Sequence, residues 1–118
     1  MNITTFSNIV GVSAYTLRYY EKIGLLKNIH RSTSGHRFYT QNDVEWVGFI
    51  VRLKNTGMDL ERIQQYADLR ELGDRTLQQR KDLLEQHRIK LKSNIESQLT
   101  HLTALDEKIV FYEEKISS

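Results

Sequence analysis

The stretch Val12-Ser13-Ala14-Tyr15-Thr16-Leu17-Arg18-Tyr19-Tyr20-Glu21-Lys22-Ile23-Gly24-Leu25-Leu26 decides how this chain is read. Ser13 is a natural N-cap, able to accept from the backbone N–H groups that the first helical turn leaves free. Ala14 to Ile23 then reads as a short helix, ended by Gly24 in the left-handed conformation. Leu17, Tyr20 and Ile23 recur at helical spacing and face inward, which leaves Thr16, Arg18, Tyr19 and Lys22 on the outer surface. Ahead of them, Thr5 to Val10 forms a second short helix carrying Phe6, Ile9 and Val10, and Gly11 supplies the turn. Two short helices joined by a Gly-containing turn make a helix-turn-helix, whose second helix enters the DNA major groove. A surface helical hairpin without a ligand has the same spacing, so the neighbouring residues must decide between the two.

Those neighbours are basic. Residues 1–56 carry seven lysines and arginines against three acids, and residues 57–118 carry ten against twelve. A basic front and a mildly acidic back suit a polyanion-binding head on a separate framework. After Leu26, the segment Lys27 to Tyr39 holds a Ser/Thr/Gly cluster between two short strand-like runs. Arg31 and Arg37 flank this turn, with Phe38 and Tyr39 beside them. The pattern reads as a wing whose arginines and tyrosine hydroxyl hold phosphates next to the groove.

Thr40 caps the next helix, Gln41 to Asn55, with Asp43 at its third position. Val44, Val47, Phe49, Ile50 and Leu53 form its apolar stripe, and Trp46, the only tryptophan, belongs to the core. Lys54 stands just before the Gly57 break as a further phosphate contact. Asp59 caps a helix from Leu60 to Leu69, with Ile63, Tyr66 and Ala67 inward. Gly73-Asp74 is the last strong break, so the head is read as residues 1–72 and the remainder as residues 73–118.

From Arg75 onward there is no Gly or Pro, and one helix of roughly 40 residues is expected, about 60 Å long. Its apolar residues follow a heptad. Leu77, Leu84, Leu91, Leu105 and Tyr112 share one position, interrupted by Gln98, and Ile95, Leu102, Ile109 and Ile116 share the other, preceded by Lys81 and Arg88. A stripe that long needs another helix to cover it, most simply a second copy of the chain. Leu84, Leu91, Ile95, Leu102, Leu105 and Ile109 are the expected dimer contacts.

Composition removes other classes. Cysteine is absent, which excludes disulfides, thiolate metal sites and cysteine nucleophiles. No apolar run approaches membrane-spanning length and the start lacks a signal-peptide pattern, so a cytoplasmic location and no membrane partner are expected. No Gly-rich phosphate loop or clustered His/Asp/Glu set points to an enzyme. The four histidines, His30, His36, His87 and His101, are scattered.

Taken together, Val12-Ser13, Thr16-Leu17-Arg18-Tyr19-Tyr20-Glu21, Gly24-Leu25, the wing Arg31, Gly35, Arg37 and Tyr39, and Lys54 through Gly57 resemble the MerR family of bacterial transcription regulators along essentially the whole chain. The resemblance implies a mostly α fold: a winged helix-turn-helix head, a connecting helix pair, and a long antiparallel coiled-coil dimerisation helix. It also implies a homodimer on double-stranded promoter DNA that bends and untwists an over-long spacer so that RNA polymerase engages both elements. Thr16, Arg18, Tyr19, Tyr20, Arg37, Tyr39 and Lys54 match positions that contact DNA in the family, and Arg31 joins them from the wing pattern. Many relatives sense signals through cysteines; this chain has Arg52, Thr76-Leu77 and Lys115-Ile116-Ser117-Ser118 at those places, and no separate sensor domain is expected.

Soft ions therefore lack an anchoring ligand, which leaves a divalent ion such as nickel, cobalt or zinc, an apolar ligand, or no ligand. His87 and His101 lie two heptads apart on one flank of the seam. The first reading is that both face solvent. The alternative is an ion shared across an antiparallel pair, with nearby Glu or Asp completing the shell and the two-fold axis near Asn94; an axis toward residues 96 and 97 also gives sound apolar layers and would separate the two histidines. A non-specific architectural DNA-binding protein is the other competing class.

Overall fold

The first helix, α1 (Ile3–Val10), begins two residues earlier than its sequence pattern suggests, because Asn2 caps it by accepting from the Thr5 N–H. The structure, a computed structural model, describes residues 1–118. Helix α2 (Ala14–Lys22) follows the Gly11 turn, and Ser13 caps it as expected, its hydroxyl accepting from the Thr16 N–H at 3.1 Å. Strands β1 (His30–Arg31) and β2 (Arg37–Phe38) form an antiparallel two-stranded wing that pairs His30 with Phe38 and Arg31 with Arg37. Gly35, at φ 85°, turns the hairpin in a conformation that costs L side chains strain.

Helix α3 (Gln41–Asn55) carries the capping box anticipated from Thr40 and Asp43: each side chain satisfies the other residue's backbone N–H. Helix α4 (Leu60–Glu71) starts from Asp59, which accepts from the Arg62 N–H. It continues two residues past the expected Leu69 and closes where the Leu72 N–H bonds back to Asp68 and Leu69.

The long helix does not start at Arg75. A 3-10 turn, Gly73–Thr76, comes first, and α5 runs from Leu77 to Ser117 over 41 residues. The cause is local. The Thr76 hydroxyl lies within bonding distance of the carbonyls of both Leu69 (2.6 Å) and Gly73 (2.8 Å), and Arg80 donates to Gly73 at 3.0 Å. These bonds keep the turn folded onto the end of α4 and delay the regular helix.

By its internal contacts the chain divides into two compact units, Met1–Arg80 and Lys81–Ser118. The boundary expected at residue 72 falls at the junction of α4 and the 3-10 turn. In the first unit α1 packs on α2 and α3, and α3 on α4. Phe6, Leu17, Leu25, Val47, Ile50 and Ile63 are fully buried between them. The indole of Trp46 is core, as read, and its N–H donates 2.7 Å to the Leu25 carbonyl. Its ring is stacked near Tyr66 and capped by the Arg70 guanidinium at 4.2 Å, so a polar edge and an apolar face are both satisfied.

In the second unit the heptad side chains are open to solvent. Ile95, Leu102, Leu105 and Ile109 are between 51% and 62% exposed, and Leu84 and Leu91 are half-buried. The one buried residue of α5 is Leu83, which lies off both seam positions.

Candidate nucleic-acid interface

Arg18, Glu21 and Lys22 sit three and four residues apart on α2, so they share one face of that helix. The wing rises beside it. Arg31 and Arg37 are cross-strand partners, so two cations stand directly opposite each other, an arrangement that is destabilising unless each charge finds company. Each does: Arg31 donates to the Gly35 carbonyl at 3.0 Å, and the Arg37 Nε donates to the Glu21 carboxylate at 2.9 Å.

Between α2 and the wing lies a cleft of about 770 Å³, lined by Arg18, Lys22, Arg31, His36, Arg37 and Tyr39, with Glu21 the single acid. Tyr39 forms its floor. The residue is only 3% exposed, its ring stacks on Phe6 at 4.4 Å, and its backbone N–H donates to Met1. Burial pushes the Tyr39 phenol above its usual value of 10.0, and the Glu21 carboxylate adds to this, while Arg37 and Arg18 pull the other way.

A second, smaller cleft of about 280 Å³ lies at the start of α2, lined by Ser13, Thr16, Tyr20, Val51 and Lys54 among others. Here Lys54 donates 3.1 Å to the Tyr20 hydroxyl and its ammonium lies 5.6 Å from the Tyr20 ring centre. The Tyr20 ring is buried as its helical position requires, with its hydroxyl meeting Lys54. Of the eight residues read as DNA-facing, Arg18, Arg31, Arg37 and Tyr39 come together in the first cleft and Thr16, Tyr20 and Lys54 in the second. Tyr19 lines neither and stands 44% exposed on the surface. Lys22 and His36 join the cleft from the same turns of chain. His36 stands in the wing where the family resemblance leads one to expect a tyrosine, and the structure places it in the lining of this cleft.

Nothing within the chain is gathered to hold a metal: no group of three or more His, Asp or Glu side chains is close enough. His87 and His101 are fourteen residues apart on α5, about 21 Å along the axis, so one chain alone cannot bring them to a common ion.

A cap-started helix, a cationic cleft and a two-stranded wing beside it define a winged helix-turn-helix head built for a polyanion. Residues 1–70 match the family described as MerR HTH family regulatory protein, and residues 44–110 match the one described as MerR, DNA binding. The chain belongs to the MerR family of DNA-binding transcription regulators. An HTH-type transcriptional regulator of Haemophilus influenzae is 39% identical over 104 residues, which is 88% of this chain and 77% of that protein. A MerR family regulator from Listeria monocytogenes superposes with a TM-score of 0.90 at 40% identity, covering 96% of this chain and 86% of that one. HiNmlR, described as a MerR family regulator lacking the sensor domain and bound to promoter DNA, superposes with a TM-score of 0.84 at 36% identity over the same shares. No helix is long and apolar enough to cross a membrane.

Proposed function

We propose that the chain works as a homodimeric activator that grips a promoter with its two heads and bends and untwists the spacer for RNA polymerase. The observation that carries this reading is the solvent-open apolar row on α5, where Ile95, Leu102, Leu105 and Ile109 each stand more than half exposed. Soluble chains rarely leave such a row uncovered, and a 41-residue helix repeating every seven residues is matched best by its own copy. The antiparallel arrangement sets the heads at opposite ends of the pair, as a pseudo-palindromic site requires.

In each head, α2 presents Arg18 and Tyr19 toward the groove. Arg31, Arg37 and Tyr39 hold the adjoining backbone from the wing, while Thr16, Tyr20 and Lys54 hold a second phosphate. Such contacts position the protein, and the energy of deforming the spacer supplies the switch. The relative lacking a sensor domain and bound to promoter DNA supports a working head-plus-helix architecture.

Transcription in vitro from the promoter that the full chain selects tests the mechanism. Added protein is expected to raise transcript from the natural spacer. Shortening the spacer by one or two base pairs is expected to remove that dependence. Activation independent of spacer length contradicts the untwisting mechanism.

A further inference from the structure

We infer that Glu21 is a positioning residue for DNA recognition: it orients the Arg37 guanidinium, and through it the wing, so that the free fork of Arg37 faces the phosphate backbone. The inference rests on the assignment of the cleft between α2 and the wing to DNA.

A carboxylate is out of place in that cleft. Glu21 is its only acid among Arg18, Lys22, Arg31, His36 and Arg37, and it would repel a phosphate at close range. Its geometry resolves the conflict. The bond to Arg37 is made through Nε alone, at 2.9 Å, and joins residues sixteen apart in sequence. A guanidinium carries five N–H donors, so the two terminal amino groups remain available as a planar fork of the kind that matches phosphate oxygens. Holding the Nε edge fixes the plane of that fork.

The pair also lies where the fold needs it. The wing has strands of only two residues each, and the cross-strand partner of Arg37 is Arg31. Arg31 turns to the Gly35 carbonyl inside the hairpin. The Arg37 bond instead reaches out of the hairpin to α2, and it ties the wing to the recognition helix. The Glu21 side chain is 27% exposed and that of Arg37 46%, so the carboxylate is the more enclosed partner and the guanidinium the more open one. That is the order expected when the acid serves as anchor and the base as contact. The preorganised arginine then loses less rotamer freedom when it meets DNA.

The test uses full-length protein with two probes: a labelled duplex selected from a random-sequence pool by the wild type, and poly(dI-dC) as non-specific DNA. Glu21→Ala is expected to weaken the selected duplex about tenfold while leaving poly(dI-dC) binding equal or tighter, since a repelling charge has gone. Glu21→Gln keeps the oxygen that accepts from Nε and is expected to stay within about threefold of wild type. In an Arg37→Ala background, itself about tenfold weaker, Glu21→Ala is expected to add no further loss.

An equal added loss in that background would mean that Glu21 acts through the fold, and would overturn the inference. A Gln variant as weak as the Ala variant, with the same loss persisting in the Arg37→Ala background, would mean that the side chain itself meets the DNA, and would overturn it too. Full affinity in Arg37→Ala would instead overturn the assignment of the cleft, a result distinct from full affinity in Glu21→Ala alone.

Discussion

Replacing Leu91 and Ile95 together with aspartate should separate the two chains of the proposed dimer. Ile95 is 51% exposed and Leu91 half-buried in the single chain, so pairing still has about half of each side chain to cover. Full burial of such a side chain is favourable by about 1.5–3 kcal/mol, so each contributes roughly 1 kcal/mol on association. Two positions in two chains give about 4 kcal/mol of lost contact. The four aspartates add more, because an unpaired carboxylate at a closed interface costs several kcal/mol. Even if water entry halves that penalty, the total passes about 8 kcal/mol, close to a million-fold in dissociation constant.

Sedimentation velocity at tens of micromolar should therefore show only monomer for the double variant and dimer for the wild type. Ile89→Asp is the control: Ile89 is 66% exposed and off both seam positions, and this variant should remain dimeric. The fluorescence of Trp46, buried in the head under Arg70, reports whether the first unit stays folded in all three proteins. A double variant that sediments as a dimer with an intact head would refute the assignment of the seam.

Other consequences follow from the head and from the histidines. Arg18→Ala should weaken binding to the selected duplex and lower the steepness of its salt dependence by about one in the log–log slope, leaving the dimer intact; unchanged affinity and slope would remove Arg18 from the interface. The raised Tyr39 phenol means that the folded chain holds a proton that the unfolded chain releases above its usual value of 10.0. Stability from this group is therefore fully present below pH 10.0 and lost as pH rises through the higher folded value, and denaturant melts in that range should fall more steeply for wild type than for Tyr39→Phe. Titrating nickel or zinc should give tighter binding to wild type than to a His87→Ala/His101→Ala variant if the partner's His101 meets His87 across the dimer. Equal binding, or none, leaves the ion without this site.

Most of the fold was legible because its signals are local. Ser13, Thr40 and Asp59 each cap the helix their position announces, and the positive φ of Gly24 and Gly57 marks where helices end. The heptad on α5 was readable for the same reason, since a repeat is a property of the chain alone. What escaped was made by contacts distant in sequence. The 3-10 turn at Gly73–Thr76 depends on a threonine hydroxyl reaching back seven residues to Leu69. The partnership of Glu21 with Arg37 spans sixteen residues and has no periodic mark. Tyr39 was placed in the site from the wing pattern, but its burial against Phe6 required the first helix to fold back onto the end of the wing. The residues proposed to face DNA were picked out as cations and hydroxyls beside a helix-turn-helix. Their division into two clefts, one around Arg37 and one around Lys54, became visible only in three dimensions.

The most direct test of paired heads on a specific promoter is a hydroxyl-radical footprint of the full chain on the duplex it selects. Two short protected segments related by a dyad, with altered cleavage over the spacer between them, are the predicted result. Diffuse coverage without a dyad would contradict the account and mark the chain as a non-specific architectural binder.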